Sequence, residues 1–245
     1  MSVESIEHSM SVAFDFTDST VLVTGVGGAL GSAVAEAFLD AGATVCGADI
    51  VAADSDEFAL ENPDRIDYYQ GDFTDESVVS ETVDSIVETH GSLTYLANIA
   101  GTWRGGDPVA ETDSELFDFL FDVNLKTMFL ASKHAIPHIS ANDGAIVSVA
   151  SRSSLSGGEG DAIYRASKAG VRLLTESIAE ENRGELRANA VMPSVIDTPM
   201  NREMMPDAAH ETWVKPTEIA ATILALCSDA TTATSGASVP VYGEA

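Results

Sequence analysis

The chain has 245 residues, 45% of them hydrophobic, which is enough to build one packed domain and too many for a disordered chain. Its 39 acidic residues against 12 Lys and Arg give a net charge of −27, and so negative a surface repels nucleic acid and anionic lipid, excluding both as partners. No apolar run approaches the roughly 20 residues needed to cross a bilayer.

Residues 1–11 are polar and acidic, with no basic stretch ahead of an apolar one, so no secretory signal is read there and a cytoplasmic location is expected. Residues 1–13 are expected to be a flexible acidic leader, and 14–245 one domain without internal repeat or Pro/Ser-rich linker. The first strand is expected at residues 20–24, followed by an amphipathic helix over 29–40 that Gly42 closes. Further strands follow at 43–48, 66–69 and 94–97, with a helix between the last two carrying Asp75, Glu76, Glu81, Asp84 and Glu88. A long helix over 114–139 leads to a strand at 145–149, then a helix over 162–182 and a strand at 187–191. Residues 193–215 read as irregular, and a loop of that length is usually functional. A helix over 216–228 and a strand at 238–242 end the pattern. Strands alternating with helices imply an α/β fold: a doubly wound parallel sheet with helices on both faces, the three-layer Rossmann architecture. Cys46 and Cys227 lie in apolar surroundings and read as buried free thiols.

Thr24-Gly25-Val26-Gly27-Gly28-Ala29-Leu30-Gly31 stands where the first strand ends and the first helix begins. Glycines there permit a tight turn and close backbone approach to a pyrophosphate, which the helix N-terminus then attracts. Asp49 ends the second strand, 24 residues after Gly25. A carboxylate there can hold both ribose hydroxyls of NAD and repels the extra phosphate of NADP. Residues 1–64 contain no Lys or Arg to neutralise that phosphate, so NAD is the expected cofactor. Asp72, after the third strand, could meet the adenine edge, although Gly71-Asp72 is also an ordinary turn pair.

Tyr164 and Lys168 are four apart on a predicted helix and share one face. A lysine cation one turn away is expected to stabilise the phenolate and lower the tyrosine pKa into a useful range. Ser151, 13 residues before Tyr164, could hydrogen-bond a substrate oxygen as charge develops on it.

From Phe16 to Gly243 the chain resembles the single-domain short-chain dehydrogenase/reductase family. Asn98-Ile99-Ala100-Gly101 is similar to that family's Asn-x-Ala-Gly element, and Pro193 to Thr198 to the segment that holds the nicotinamide carboxamide. The resemblance implies a catalytic set of Ser151, Tyr164, Lys168 and Asn124, the asparagine shaping a proton relay to the lysine. It also implies cofactor contacts from Gly25, Gly28, Ala29, Leu30, Gly31, Asp49, Asp72, Phe73, Asn98, Ala100, Gly101, Tyr164, Lys168, Pro193, Ile196 and Thr198, with no metal. A homo-oligomer, dimer or tetramer, is a further implication. Ala29 replaces the family's second glycine and Ser194 the glycine after Pro193.

The implied reaction is NAD(H)-dependent interconversion of a secondary alcohol, a sugar or hydroxy acid among the candidates, and its ketone. Trp103, Arg104, Arg152 and the loop bearing Met200, Arg202, Met204, Met205 and Trp213 are candidate pocket residues; arginines there could mark an anionic substrate, or Arg202 could pair with a nearby acid. Residues 100–106 and 197–208 are also similar to the quinonoid dihydropteridine reductases, which makes pterin reduction an alternative. A non-catalytic NAD-binding sensor or scaffold is a third reading. Finally, a dispersed acidic coat with only four lysines matches proteins adapted to high salt, so structure is expected to be lost at low salt.

Overall fold

The computed structural model describes residues 13–244. The expected acidic leader, up to residue 12, lies outside the described residues. Seven parallel strands form one sheet in the order β3-β2-β1-β4-β5-β6-β7: β1 (Thr20–Thr24), β2 (Thr44–Asp49), β3 (Asp67–Gln70), β4 (Tyr95–Asn98), β5 (Ala145–Val149), β6 (Arg187–Pro193) and β7 (Ser238–Val241). β1 and β5 are short β-branched runs buried at every residue, as strands covered on both faces must be.

One face of the sheet carries α1 (Ala29–Asp40) and α7 (Pro216–Cys227), whose Val34, Phe38, Ile219 and Ile223 share a core with Val21, Val23 and Val147. The other face packs Leu22, Leu96 and Ile146 against α2 (Glu76–His90), α4 (Thr127–Ser140) and α5 (Ala162–Glu181). α2 forms because Val79, Val83 and Ile86 recur at helical spacing, and Gly91, at φ 78°, ends it in the left-handed region. Asp75 stands just outside that helix as its N-cap, accepting from the Ser77 N–H at 2.9 Å. Both cysteines are buried and free, as expected.

Two elements differ from expectation. The helix expected over 114–139 is α3 (Ser114–Phe121) and α4, joined by a π-helical turn, Asp122–Lys126. The extra residue per turn leaves the axis continuous and brings buried Asn124 inward, a deviation that side-chain periodicity does not encode. The segment read as irregular contains a short helix, α6 (Pro199–Met204), started by Thr198, whose hydroxyl accepts from the Asn201 N–H at 3.2 Å.

The strand order reverses between β1 and β4, and the register aligns Thr24 with Asn98, Asn98 with Ser148, and Val149 with Val191. The carboxyl ends of β1, β4, β5 and β6 therefore form one rim, the position where open α/β sheets bind ligands.

Candidate active site

The glycine turn begins this rim. Gly25 has φ +68°, and a side chain on it would stand 2.8 Å from the Ala100 Cα. Gly31 packs so closely that an added Cβ would lie 2.0 Å from the Gly25 carbonyl oxygen. α1 then starts at Ala29 with no side-chain cap, which leaves the N–H groups of Ala29, Leu30 and Gly31 at the positive end of the helix dipole. A phosphate fits this cradle because, among the described residues, no acceptor already occupies those donors. Ala29 in place of glycine is tolerated as the first ordinary helical residue.

Asp49 stands at the edge of the cradle, half-buried, its Oδ2 accepting from the Gly27 N–H at 2.8 Å and its Oδ1 from the Val51 N–H at 3.1 Å. Both bonds orient one carboxylate where a ribose would lie. The ring of Phe58 closes over Gly27, where an added Cβ would meet it at 2.9 Å. Asp72 is exposed and turned on its own loop, accepting from the Thr74 N–H at 2.9 Å and hydroxyl at 2.7 Å. The Phe73 side chain is in the core beside Val79 and Val83, so what it can offer a cofactor is its backbone.

Across the reversal, the Thr24 hydroxyl accepts from the Ile99 and Ala100 N–H groups at 3.1 and 3.2 Å, tying the ends of β1 and β4 together. Asn98 donates to the hydroxyls of Ser132 and Ser148 at 3.1 and 3.2 Å. Its buried Oδ1 has no partner, an acceptor held ready at the rim.

The catalytic candidates converge. Ser151 follows β5, is 7% exposed, and hydrogen-bonds the Tyr164 hydroxyl. Burial pushes the Tyr164 phenol above its ordinary value, while the Ser151 bond pulls it down; Asp161 raises it and Arg165 lowers it by less. Lys168 is fully buried one turn on and donates to the Val149 carbonyl at 2.9 Å. Burial lowers its own pKa to about 8. Gly101 lies between Lys168 and Asn124: a Cβ there would stand 2.8 Å from both the lysine Nζ and the asparagine Oδ1. Asn124 in turn donates to the Ser167 hydroxyl at 3.1 Å.

Past β6, Pro193 ends the strand, and Ile196 forms a lone bridge with Val214 that brings the substrate loop back to the sheet. Thr198 is engaged as the α6 cap. Met200, Met204 and Met205 are exposed, whereas Trp213 is buried against the His210 ring with centroids 4.5 Å apart. The arginines flanking the site are all engaged. Arg202 grips Asp197 with two bonds at 2.5 and 2.9 Å, Arg104 lies 4.0 Å over the Phe119 ring, and Arg152 lies 4.9 Å over Tyr242.

Sequence reasoning missed the hydroxyls that organise the site, Thr24, Ser132, Ser148 and Ser167, and the main-chain carbonyl of Val149. Serines and threonines in buried strands and helices carry no signal of their own, and Ser148 was legible only as a polar residue inside an otherwise apolar strand.

Comparison with known proteins places the chain in a family. Residues 25–243 match a family model described as enoyl-(acyl carrier protein) reductase. The 3-oxoacyl-(acyl-carrier-protein) reductase FabG of Thermotoga maritima is 34% identical over 236 residues, 91% of this chain and 95% of the relative. Meso-2,3-butanediol dehydrogenase of Serratia marcescens is 32% identical over 94% of this chain and 95% of its own. A glucose/ribitol dehydrogenase structure from Brucella melitensis superposes with a TM-score of 0.87 at 30% identity, covering 95% of this chain and 98% of that one. With the reversed sheet, the glycine cradle and the serine, tyrosine and lysine in place, the chain belongs to the short-chain dehydrogenase/reductase family of nicotinamide-dependent oxidoreductases.

Proposed function

We propose that the chain interconverts a secondary alcohol and its ketone with NAD(H), through Ser151, Tyr164, Lys168 and Asn124. The observation that carries this reading is the gathering of Ser151, Tyr164, Lys168 and Asn124 at the end of β5, with Lys168 bonded to the Val149 carbonyl and Gly101 close against both Lys168 and Asn124. A proton acid at neutral pH and a hydroxyl that can share the same substrate oxygen meet at one point on the rim.

The glycine cradle and Asp49 would hold a nicotinamide cofactor, which would supply or accept the hydride when bound. Tyr164 delivers its proton to the carbonyl oxygen in reduction and takes it from the hydroxyl in oxidation. Ser151 hydrogen-bonds the oxygen on which charge develops. Lys168 would hold the nicotinamide ribose, and its ammonium would restrain the rise of the Tyr164 pKa. Asn124 keeps the 98–102 segment beside Lys168 through its two bonds to the Thr102 backbone. The orphan Oδ1 of Asn98 is a place for a ribose hydroxyl.

Asp49 supports NAD over NADP, since a 2′-phosphate would meet a carboxylate fixed by two backbone N–H groups, and residues 1–64 supply no Lys or Arg. The relatives' names mention a 3-oxoacyl group, a 2,3-diol and a sugar or polyol, and all contain a secondary alcohol or ketone centre. A neutral substrate fits best because Arg104, Arg152 and Arg202 are engaged within the protein. Exposed Met200, Met204 and Met205 would supply an adaptable apolar lid. Phe117, Phe129 and Leu173 on α3, α4 and α5 are exposed apolar side chains that burial against a second copy would cover, so we read the enzyme as a dimer or tetramer.

The test is oxidation of NADH and NADPH, and the reverse reductions, in molar KCl with sugars, hydroxy acids, simple ketones and alcohols, and a quinonoid pterin. Ketone or alcohol turnover with NAD(H), reduced about 10²-fold or more in Tyr164→Phe, supports the reading. Pterin turnover alone favours the dihydropteridine alternative. Tight NADH binding without turnover on any member favours a sensor.

A further inference from the structure

Cys46, Asp67 and His90 meet on the α2 side of the sheet, away from the catalytic rim. Cys46 and Asp67 are register partners on β2 and β3, and His90 is the last residue of α2. One ligand atom from each lies within 4.8 Å of the others. Cys46 is fully buried, Asp67 is exposed, and the His90 side chain is 16% exposed. Thus the cluster has a closed inner end and an open outer one.

The His90 Nε2 stands 3.0 Å from Asp67 Oδ2, yet the contact misses hydrogen-bond geometry and leaves this buried nitrogen without a hydrogen-bond partner. A buried ring nitrogen in close contact with a carboxylate, but without a hydrogen bond, and near a thiol brings together three groups whose lone pairs one cation could share.

We propose that Cys46, Asp67 and His90 form a three-ligand site for a thiophilic divalent cation such as zinc. Thiolate, imidazole and carboxylate are the ligands zinc takes, at about 2.0–2.3 Å, which puts ligand atoms roughly 3.3–3.8 Å apart in a tetrahedron. The observed cluster needs only small side-chain movements to reach that spacing. The fourth position faces solvent on the Asp67 side. Binding makes a bond from Cys46 Sγ to the metal and breaks the S–H bond, the proton leaving to solvent. The soft sulfur ligand selects against magnesium and calcium. The carboxyl end of the α2 dipole and the net charge of −27 both favour a cation here.

The consequence would be local. β3 is the edge strand, and the same β2–β3 register places Asp49 opposite Gln70 three residues further along. A metal joining β2, β3 and α2 would clamp the strand pair that presents Asp49 to the cofactor.

The experiment is a cobalt titration of the full-length, metal-stripped protein in molar KCl, read by absorption, with zinc competition and magnesium as control. One equivalent of cobalt giving a thiolate charge-transfer band, displaced by zinc and untouched by magnesium, is expected. That band should vanish in Cys46→Ser and persist in Cys227→Ser. His90→Gln, at a helix end where the fold tolerates change, should weaken binding by at least the ~10–100-fold that loss of a mere supporting partner costs. Circular dichroism of each variant reports folding separately, and Asp67→Asn serves if Cys46→Ser does not fold. Cobalt bound without a thiolate band, or a band that survives in the Cys46 and His90 variants, would overturn the proposal.

Discussion

Asn124 holds the backbone of Thr102 at both ends, its Oδ1 accepting from the Thr102 N–H at 2.8 Å and its Nδ2 donating to the Thr102 carbonyl at 3.0 Å. The π-turn is what aims the asparagine at this segment, which runs on from the end of β4 past Gly101. Asn124→Ala would leave both Thr102 groups and the Ser167 hydroxyl short of a partner in a buried place. We expect a loss of about 1–3 kcal/mol in stability and roughly tenfold or more in turnover. Thermal melts and kcat measured together check it: a variant as stable and as active as the parent would remove Asn124 from the site.

Burial of Lys168 comes at the expense of stability. Its pKa falls from 10.5 to about 8, and the only cause is burial. Below pH 8 the ammonium is charged both in the folded chain and in the unfolded one, and the burial penalty is in force. Between pH 8 and 10.5 the folded chain sheds the proton while the unfolded chain keeps it, so this residue makes stability rise with pH there. The penalty at pH 7 is roughly 3 kcal/mol, and the bond to Val149 offsets about 1–2 kcal/mol. Lys168→Met should therefore be about 1–2 kcal/mol more stable than the parent at pH 7, with the gain fading toward pH 10, while turnover falls by about 10²-fold or more. Urea melts at pH 7 and pH 10 beside kinetics test the pair of effects. A variant less stable at pH 7 would show that the ammonium is better solvated than its burial implies.

The fold was legible where residues solve a local problem. Full burial of β1 and β5 demands apolar β-branched runs, and the turn from β1 into α1 demands glycine at Gly25 and Gly31, so both were readable. Tyr164 and Lys168 were readable as a pair because helix geometry fixes four-residue spacing. What they do to each other was not, because the direction of a flexible lysine depends on an acceptor 19 residues away in sequence. The partners of Asn98 are likewise 34 and 50 residues distant. The π-turn was invisible since it changes one residue's phase without interrupting the apolar pattern. Asp72 illustrates the reverse case: its Asx turn was a local possibility from the start, and the structure shows that turn formed.

Asp49 combines two roles that mutation should separate. Its carboxylate accepts from the Gly27 and Val51 N–H groups, so it shapes the turn, and in the proposed function it would also meet the ribose. Asp49→Asn keeps one acceptor oxygen and removes the charge. We expect the ratio of kcat/KM for NADH over NADPH to fall by about 10–100-fold, which corresponds to roughly 1.4–2.8 kcal/mol. Stability should fall by about 1 kcal/mol as one backbone bond is lost. An unchanged ratio would mean that another feature sets the cofactor preference.

The strongest dependence expected is on salt. Twelve basic residues can pair at most a minority of 39 acids, and several of the pairs that form are on the exposed surface, such as Arg183 with Glu180 at 2.5 Å and Arg65 with Asp40 at 3.4 Å. Such pairs contribute little each, so the net charge of −27 remains as self-repulsion in the compact state. Screening shortens the reach of that repulsion from about 10 Å at 0.1 M salt to about 3 Å at 1 M. Chloride salts should therefore raise the melting temperature steadily, and removal of salt should unfold the chain. Ion-specific effects are separated from screening by matching KCl, NaCl and CsCl at equal ionic strength. The three should agree at low concentration if screening is the cause, and a melt indifferent to KCl would refute the expectation outright.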